Sequence, residues 1–156
     1  MNTIDIMIVE DEASSREILQ ALLNEENLTT LTAESGEVAL NLLGQGQNPS
    51  LLVCDLNMPG MGGLRFIQKA LEALPDLTVI VLTGELDIKN VQQAVRLGAA
   101  DFLLKPYLSQ DLISRIYRSL EISKIKKLRA GHGNPAEHLS RRETFMRLEN
   151  SKKCAA

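Results

Sequence analysis

Asp55 closes an apolar run, Leu51-Leu52-Val53-Cys54, and Asn57, Pro59, Gly60, Gly62 and Gly63 follow within eight residues. A strand that ends on one carboxylate and then breaks can hold that carboxylate out to react. Three other apolar runs also end on chemistry. Residues 3–9 lead into Glu10 and Asp11, residues 77–83 end in Thr83, and residues 100–105 end in Lys105 before Pro106. In an open parallel sheet, ligands bind beyond the carboxyl ends of the strands. If these four strands are neighbours, one pocket collects three carboxylates, a hydroxyl and an ammonium. Two unit charges about 4 Å apart repel by about 4 kcal/mol at an effective dielectric of 20, so the acids need a cation. Loop oxygen ligands without an imidazole or thiol suit Mg²⁺. Each acid alone reads better as a structural helix cap than as a functional group, since acids are favoured in a first helical turn. The joint pattern of four strand ends is what points to a site.

The elements that position these residues follow from periodicity. The five apolar runs are residues 3–9, 28–33, 50–55, 77–83 and 100–105. The third and fourth are nearly continuous Val, Leu and Ile, as expected of parallel strands covered on both faces. Helical patterns span 12–26, 35–43, 63–74, 87–98 and 109–128. In the first, Ile18, Leu19, Leu22 and Leu23 share a face. Ser35 and Ser109 are expected N-caps, and Gly98 an expected C-cap. Strand and helix alternate five times with short links, which predicts an α/β domain with a parallel sheet.

The segments Val9-Glu10-Asp11-Glu12, 54–64, Val81-Leu82-Thr83-Gly84 and 101–107 together resemble the receiver domain of two-component response regulators. The resemblance covers about residues 3–125. It implies a flavodoxin-like, doubly wound, five-stranded parallel sheet of order 2-1-3-4-5 with helices on both faces. It also implies roles. Asp55 would be the phosphoacceptor. Asp11, the Asp55 carboxylate and the Asn57 backbone carbonyl would bind Mg²⁺, with Glu10 acting through water. Lys105 would pair with the phosphoryl oxygens, and its bond to Pro106 would be cis. Thr83 and Phe102 would form the switch, and Asn57 and Glu85 would lie near the path of the hydrolytic water. Gly62 stands where relatives often have Asp, so a softer start to the third helix is expected around an intact site. Met58 and Met61 are expected at the loop surface or against a partner.

The implied function is a phosphorylation-activated signalling switch rather than an enzyme with an output of its own. Its partners would be a sensor histidine kinase or phosphotransfer protein and a downstream effector or further output domain, with a homodimer through helix 4, strand 5 and helix 5. The alternative is a pseudo-receiver, an interaction module that never takes phosphate. A flavodoxin-like cofactor binder is disfavoured, because the acidic loop at residues 10–14 would repel the phosphate that such a first loop must cradle.

Composition sets the remaining bounds. Of 156 residues, 44% are hydrophobic and 24% charged, ordinary for a globular protein. No apolar run approaches the roughly 20 residues of a membrane span. The N-terminus turns acidic at once, so a cytoplasmic location is the default. Residues 1–120 carry 8 Lys and Arg against 16 Asp and Glu, whereas residues 121–156 carry 9 against 4. A receiver domain over 1–128 would therefore be followed by a basic tail over 129–156, with a short helix at 141–150. The tail's charges are dispersed and Phe145 is its single aromatic, so no specific DNA binding is expected of it. Leu139, Phe145, Met146 and Leu148 could dock it.

Overall fold

The computed structural model describes residues 3–84 and 88–131. In chain order the elements are β1 (Ile6–Val9), α1 (Ala13–Glu25), β2 (Thr30–Ala33), α2 (Gly36–Gly44), β3 (Leu51–Asp55), α3 (Gly63–Ala73), β4 (Thr78–Thr83), α4 (Ile88–Leu97), β5 (Asp101–Leu104) and α5 (Ser109–Ala130). The sheet order is β2-β1-β3-β4-β5, with every pairing parallel.

The central strands β1, β3 and β4 are buried along their whole length. Successive side chains enter opposite faces, so a continuous apolar run feeds two cores at once. Met7, Val9, Leu52, Cys54, Val79 and Val81 join α2 and α3 residues such as Leu40, Phe66 and Ile67. Ile6, Ile8, Leu51, Val53, Ile80 and Leu82 join Leu19 and Leu23 of α1 and Leu112 and Ile116 of α5. The edge strands β2 and β5 are only partly buried. The strand order reverses between β1 and β3, the place beyond the strand ends where open sheets of this kind bind ligands.

Three local expectations are corrected. Ile18 is 69% exposed, because it lies about 100° round the helix from Leu19, outside the stripe that meets the sheet. Ser109 does not cap α5: the cap position is Leu108 and no side chain bonds there. The Leu108 carbonyl instead accepts the Asp111 and Leu112 N–H groups. Met58 is 9% exposed and belongs to a core, with Met61 packed against it; the loop after β3 folds back over α2 and α3 rather than outward. By contrast, the Ser35 hydroxyl accepts the Val38 N–H at 3.1 Å, as a cap should, and Gly98 adopts a left-handed φ of 115° just past α4.

α5 runs to Ala130, past the expected boundary. Ser123 donates to the Ser50 carbonyl and Lys127 Nζ to the Ser50 hydroxyl, which ties the later turns of α5 to the start of β3. The helix expected at 141–150, the docking residues named with it, and Glu85 lie outside the described residues. No helix among the described residues is long and apolar enough to cross a membrane.

Candidate functional site

The parallel register sets the site. Val9 pairs with Cys54, so Glu10 follows β1 at the level where Asp55 ends β3. Asp55 pairs with Leu82, which puts Thr83 one residue beyond it on β4. Thr83 pairs with Leu104, and its carbonyl accepts the Lys105 N–H at 2.8 Å. Four strand ends thus converge on one rim. The Lys105–Pro106 peptide is cis.

Ligand oxygens of Glu10, Asp11 and Asp55 all lie within 4.8 Å of one another. Glu10 and Asp55 are buried and Asp11 is exposed. Lys105 Nζ reaches Glu10 Oε2 and Asp55 Oδ2, both at 2.7 Å. The Asn57 N–H donates to Asp55 Oδ1 at 2.9 Å, so both Asp55 oxygens are held. Glu10 Oε1 accepts the Glu12 N–H at 3.2 Å. Thr83 is buried on β4, and Phe102 on β5 is 41% exposed.

Burial pushes the Glu10 carboxyl above its ordinary value, and the nearby Asp55 charge adds to that, against the pull of Lys105 and of the Glu12 N–H. Burial opposes the Lys105 charge, but its bonds to Asp55 and Glu10 outweigh that and hold it at about 12. Lys105 is therefore a fixed cation at any working pH. Burial also pushes the Cys54 thiol well up, which fits a core residue rather than a nucleophile. Three carboxylates against one ammonium leave two negative charges when all are ionised. An all-oxygen donor set with that excess fits a hard divalent cation.

Two supports carry little or no signal in the sequence. Arg16, on α1, donates to the Glu10 carbonyl at 2.9 Å and to the Asp11 carbonyl at 3.4 Å, pinning the acidic turn from the helix that follows it. Glu37, on α2, accepts the Met61 N–H at 2.9 Å. Arg16 could have been sought one turn into the helix. Glu37 carries no local signal. Gly62 caps α3 without a side-chain bond, as expected, and its φ of 76° with ψ of 157° is a conformation essentially reserved for glycine. A cavity of about 470 Å³ opens elsewhere, lined by Leu43, Leu77, Ser123 and Lys127 among others. It lies toward the start of β3 and β4 and holds none of these acids.

Comparison with known proteins agrees with this fold. A family model described as the response regulator receiver domain matches residues 6–117. The chain is 33% identical over 127 residues to the Regulator of RpoS of Escherichia coli K12, covering 78% of this chain and 37% of that protein. It is 35% identical over 129 residues to the Sensory transduction protein LytT of Oceanobacillus iheyensis, covering 80% and 52%. Among solved structures, the receiver domain of NtrX from Brucella abortus superposes with a TM-score of 0.71 at 31% identity, covering 75% of this chain and 98% of that one. A response regulator receiver domain protein from Clostridium thermocellum gives 0.74 at 28% identity, covering 78% and 97%. The chain thus spans about a third to a half of the two curated relatives named.

Proposed function

The chain belongs to the response regulator receiver domain family, and from that membership we propose that it is a phosphorylation-activated switch with Asp55 as phosphoacceptor. Its role lies in two-component signalling. The observation that carries the proposal is the Asp55 carboxylate at the end of β3, gripped by Lys105 and the Asn57 N–H beside two further acids. In the proposed step, an Asp55 oxygen attacks the phosphorus of a phosphohistidine donor. The P–N bond breaks, its electron pair leaves with the imidazole, and an acyl phosphate remains on Asp55. Lys105 follows the negative charge from the carboxylate to the phosphoryl oxygens. Asp11, Asp55 and the Asn57 carbonyl would hold Mg²⁺, with Glu10 acting through water. When bound, the ion supplies positive charge to the transferring group. The test is mass spectrometry after exposure to acetyl phosphate and Mg²⁺, with one added phosphoryl group expected. A chain that stays unlabelled is a pseudo-receiver.

Mg²⁺ should raise thermal stability, because it relieves repulsion among Glu10, Asp11 and Asp55. At 100 times its dissociation constant it should add about 2.7 kcal/mol. Asp11→Asn should weaken that response. An unfolding temperature indifferent to Mg²⁺ across a millimolar titration contradicts the metal assignment.

Thr83 and Phe102 form the switch in this reading. The acyl phosphate adds nearly two negative charges, to which the Thr83 hydroxyl would donate, and Phe102 would turn inward in response. Thr83→Ala should still accept phosphate, since Asp55, the acids and Lys105 remain. It should lose the phosphorylation-dependent change in hydrogen exchange at α4 and α5; an undiminished change removes Thr83 from the mechanism. The face it controls exposes Ile88, Val95, Phe102, Leu104 and Tyr117, which supports α4, β5 and α5 as the surface for a homodimer or effector. The phosphoryl source would be a sensor histidine kinase or a phosphotransfer protein, and the setting the cytoplasm. The signal would pass to a downstream effector or an output domain.

A further inference from the structure

We propose that Glu37 is a positioning residue for the Asp55 site: its carboxylate on α2 fixes the tip of the 56–62 loop, which carries Asn57. The proposal rests on the receiver reading of Asp55 and Asn57.

The loop must leave β3, present Asn57 and return to start α3. Its base is closed, because the Gly63 N–H donates to the Leu56 carbonyl at 3.2 Å. Its near limb is held at Asn57 by the bond to Asp55 and at Met58 by burial. At the tip, Pro59-Gly60-Met61-Gly62, the Met61 side chain packs against the core, but the backbone is built for freedom. Gly60 and Gly62 both have left-handed φ, 77° and 76°, and glycine is the most freely moving residue before folding. The N-cap of α3 brings no side chain to the turn.

Glu37 meets the loop at this weak point. Its Oε1 accepts the Met61 N–H. A Cβ on Gly60 would lie 3.1 Å from the same oxygen, so glycine there provides both the left-handed turn and the space for the carboxylate. Glu37 is itself well placed. It sits in the first turn of α2, one residue before the Val38 N–H that Ser35 caps. Gly36 lies so close to α3 that an added Cβ would meet Phe66 Cβ at 3.0 Å. An acid in a first helical turn is favoured in any case. What that preference leaves unexplained is a charge-assisted bond to a second element. Through this bond α2 sets the position of the loop relative to Asp55, and a site residue misplaced by about 1 Å can cost far more than the bond that placed it.

The experiment compares Glu37→Ala and Glu37→Gln with the wild type. Mg²⁺ affinity is measured by calorimetric titration, phosphoryl uptake from acetyl phosphate by mass spectrometry, and protection of the Met61 amide by hydrogen exchange. Glu37→Ala should weaken Mg²⁺ binding and slow uptake by about fivefold, which is about 1 kcal/mol at 1.4 kcal/mol per factor of ten, and should expose the Met61 amide. Glu37→Gln keeps an acceptor oxygen and should recover most of each. The proposal is overturned by wild-type Mg²⁺ affinity in Glu37→Ala, whatever its melting temperature, or by equal losses in both variants. If the wild type binds Mg²⁺ but takes no phosphoryl group, the receiver reading fails alone; Mg²⁺ affinity and Met61 protection still decide the role of Glu37. A wild type that binds no Mg²⁺ overturns both.

Discussion

Asp55→Asn should abolish phosphoryl labelling by acetyl phosphate and Mg²⁺ while leaving the fold intact. The amide has the shape of the carboxylate but lacks the anionic oxygen that must attack phosphorus. Its oxygen can still accept the Asn57 N–H that Asp55 Oδ1 now takes at 2.9 Å. Lys105 keeps Glu10 as an ionic partner at 2.7 Å, so the substitution does not strand a buried ammonium, which is the usual reason for a large loss on breaking a buried pair. Loss of label with an unchanged far-ultraviolet dichroism spectrum is the expected result. Equal labelling of wild type and variant would place the acceptor elsewhere.

Gly63→Ala should destabilise the whole domain. Gly63 opens α3, where alanine is intrinsically the better helix former by about 1 kcal/mol, so local propensity predicts a gain. Packing reverses the sign. A Cβ there would collide with the Asp55 carbonyl oxygen and lie 2.6 Å from Leu56 Cα and 3.1 Å from the Leu56 carbonyl oxygen. These are backbone atoms of the strand end and cannot rotate away. Overpacking of this kind costs about 1–3 kcal/mol and sometimes more. A fall in melting temperature of roughly 5–10 °C is expected, together with slower phosphorylation as the Asp55 backbone is displaced. Gly84→Ala is the control: among the described residues nothing lies within 4 Å of its added Cβ, and its stability should stay within about 0.5 kcal/mol of wild type. A Gly63→Ala protein that melts with the wild type contradicts the close approach of α3 to β3.

Much of this arrangement is legible in the amino-acid sequence, because it is written in local physics. The continuous apolar runs at 50–55 and 77–83 imply strands covered on both faces, and β3 and β4 are buried throughout. Ser35 and Gly98 mark a helix start and a helix end through hydrogen bonds and backbone freedom confined to a few residues. The acids, the hydroxyl and the ammonium stand at strand ends because a parallel sheet delivers its ligands there. Their pairing across 95 and 50 residues, through Lys105 to Glu10 and to Asp55, needs the sheet order, which the family resemblance supplies and periodicity alone does not.

Tertiary structure decided which members of each pattern count. Ile18 has the same chemistry as Leu19 and faces solvent, because the sheet reaches only part of the apolar stripe on α1. Met58 looks like a surface loop residue and is buried, because the loop after β3 turns onto α2 and α3. Glu37 is an ordinary first-turn acid until α2 sets it against Met61. Gly63 is one glycine among several until α3 meets the end of β3. Sequence determines a residue's own preferences. These outcomes depend on what a second element, distant in the chain, places within a few ångströms of it, and that separation is set only when the sheet and its covering helices close together.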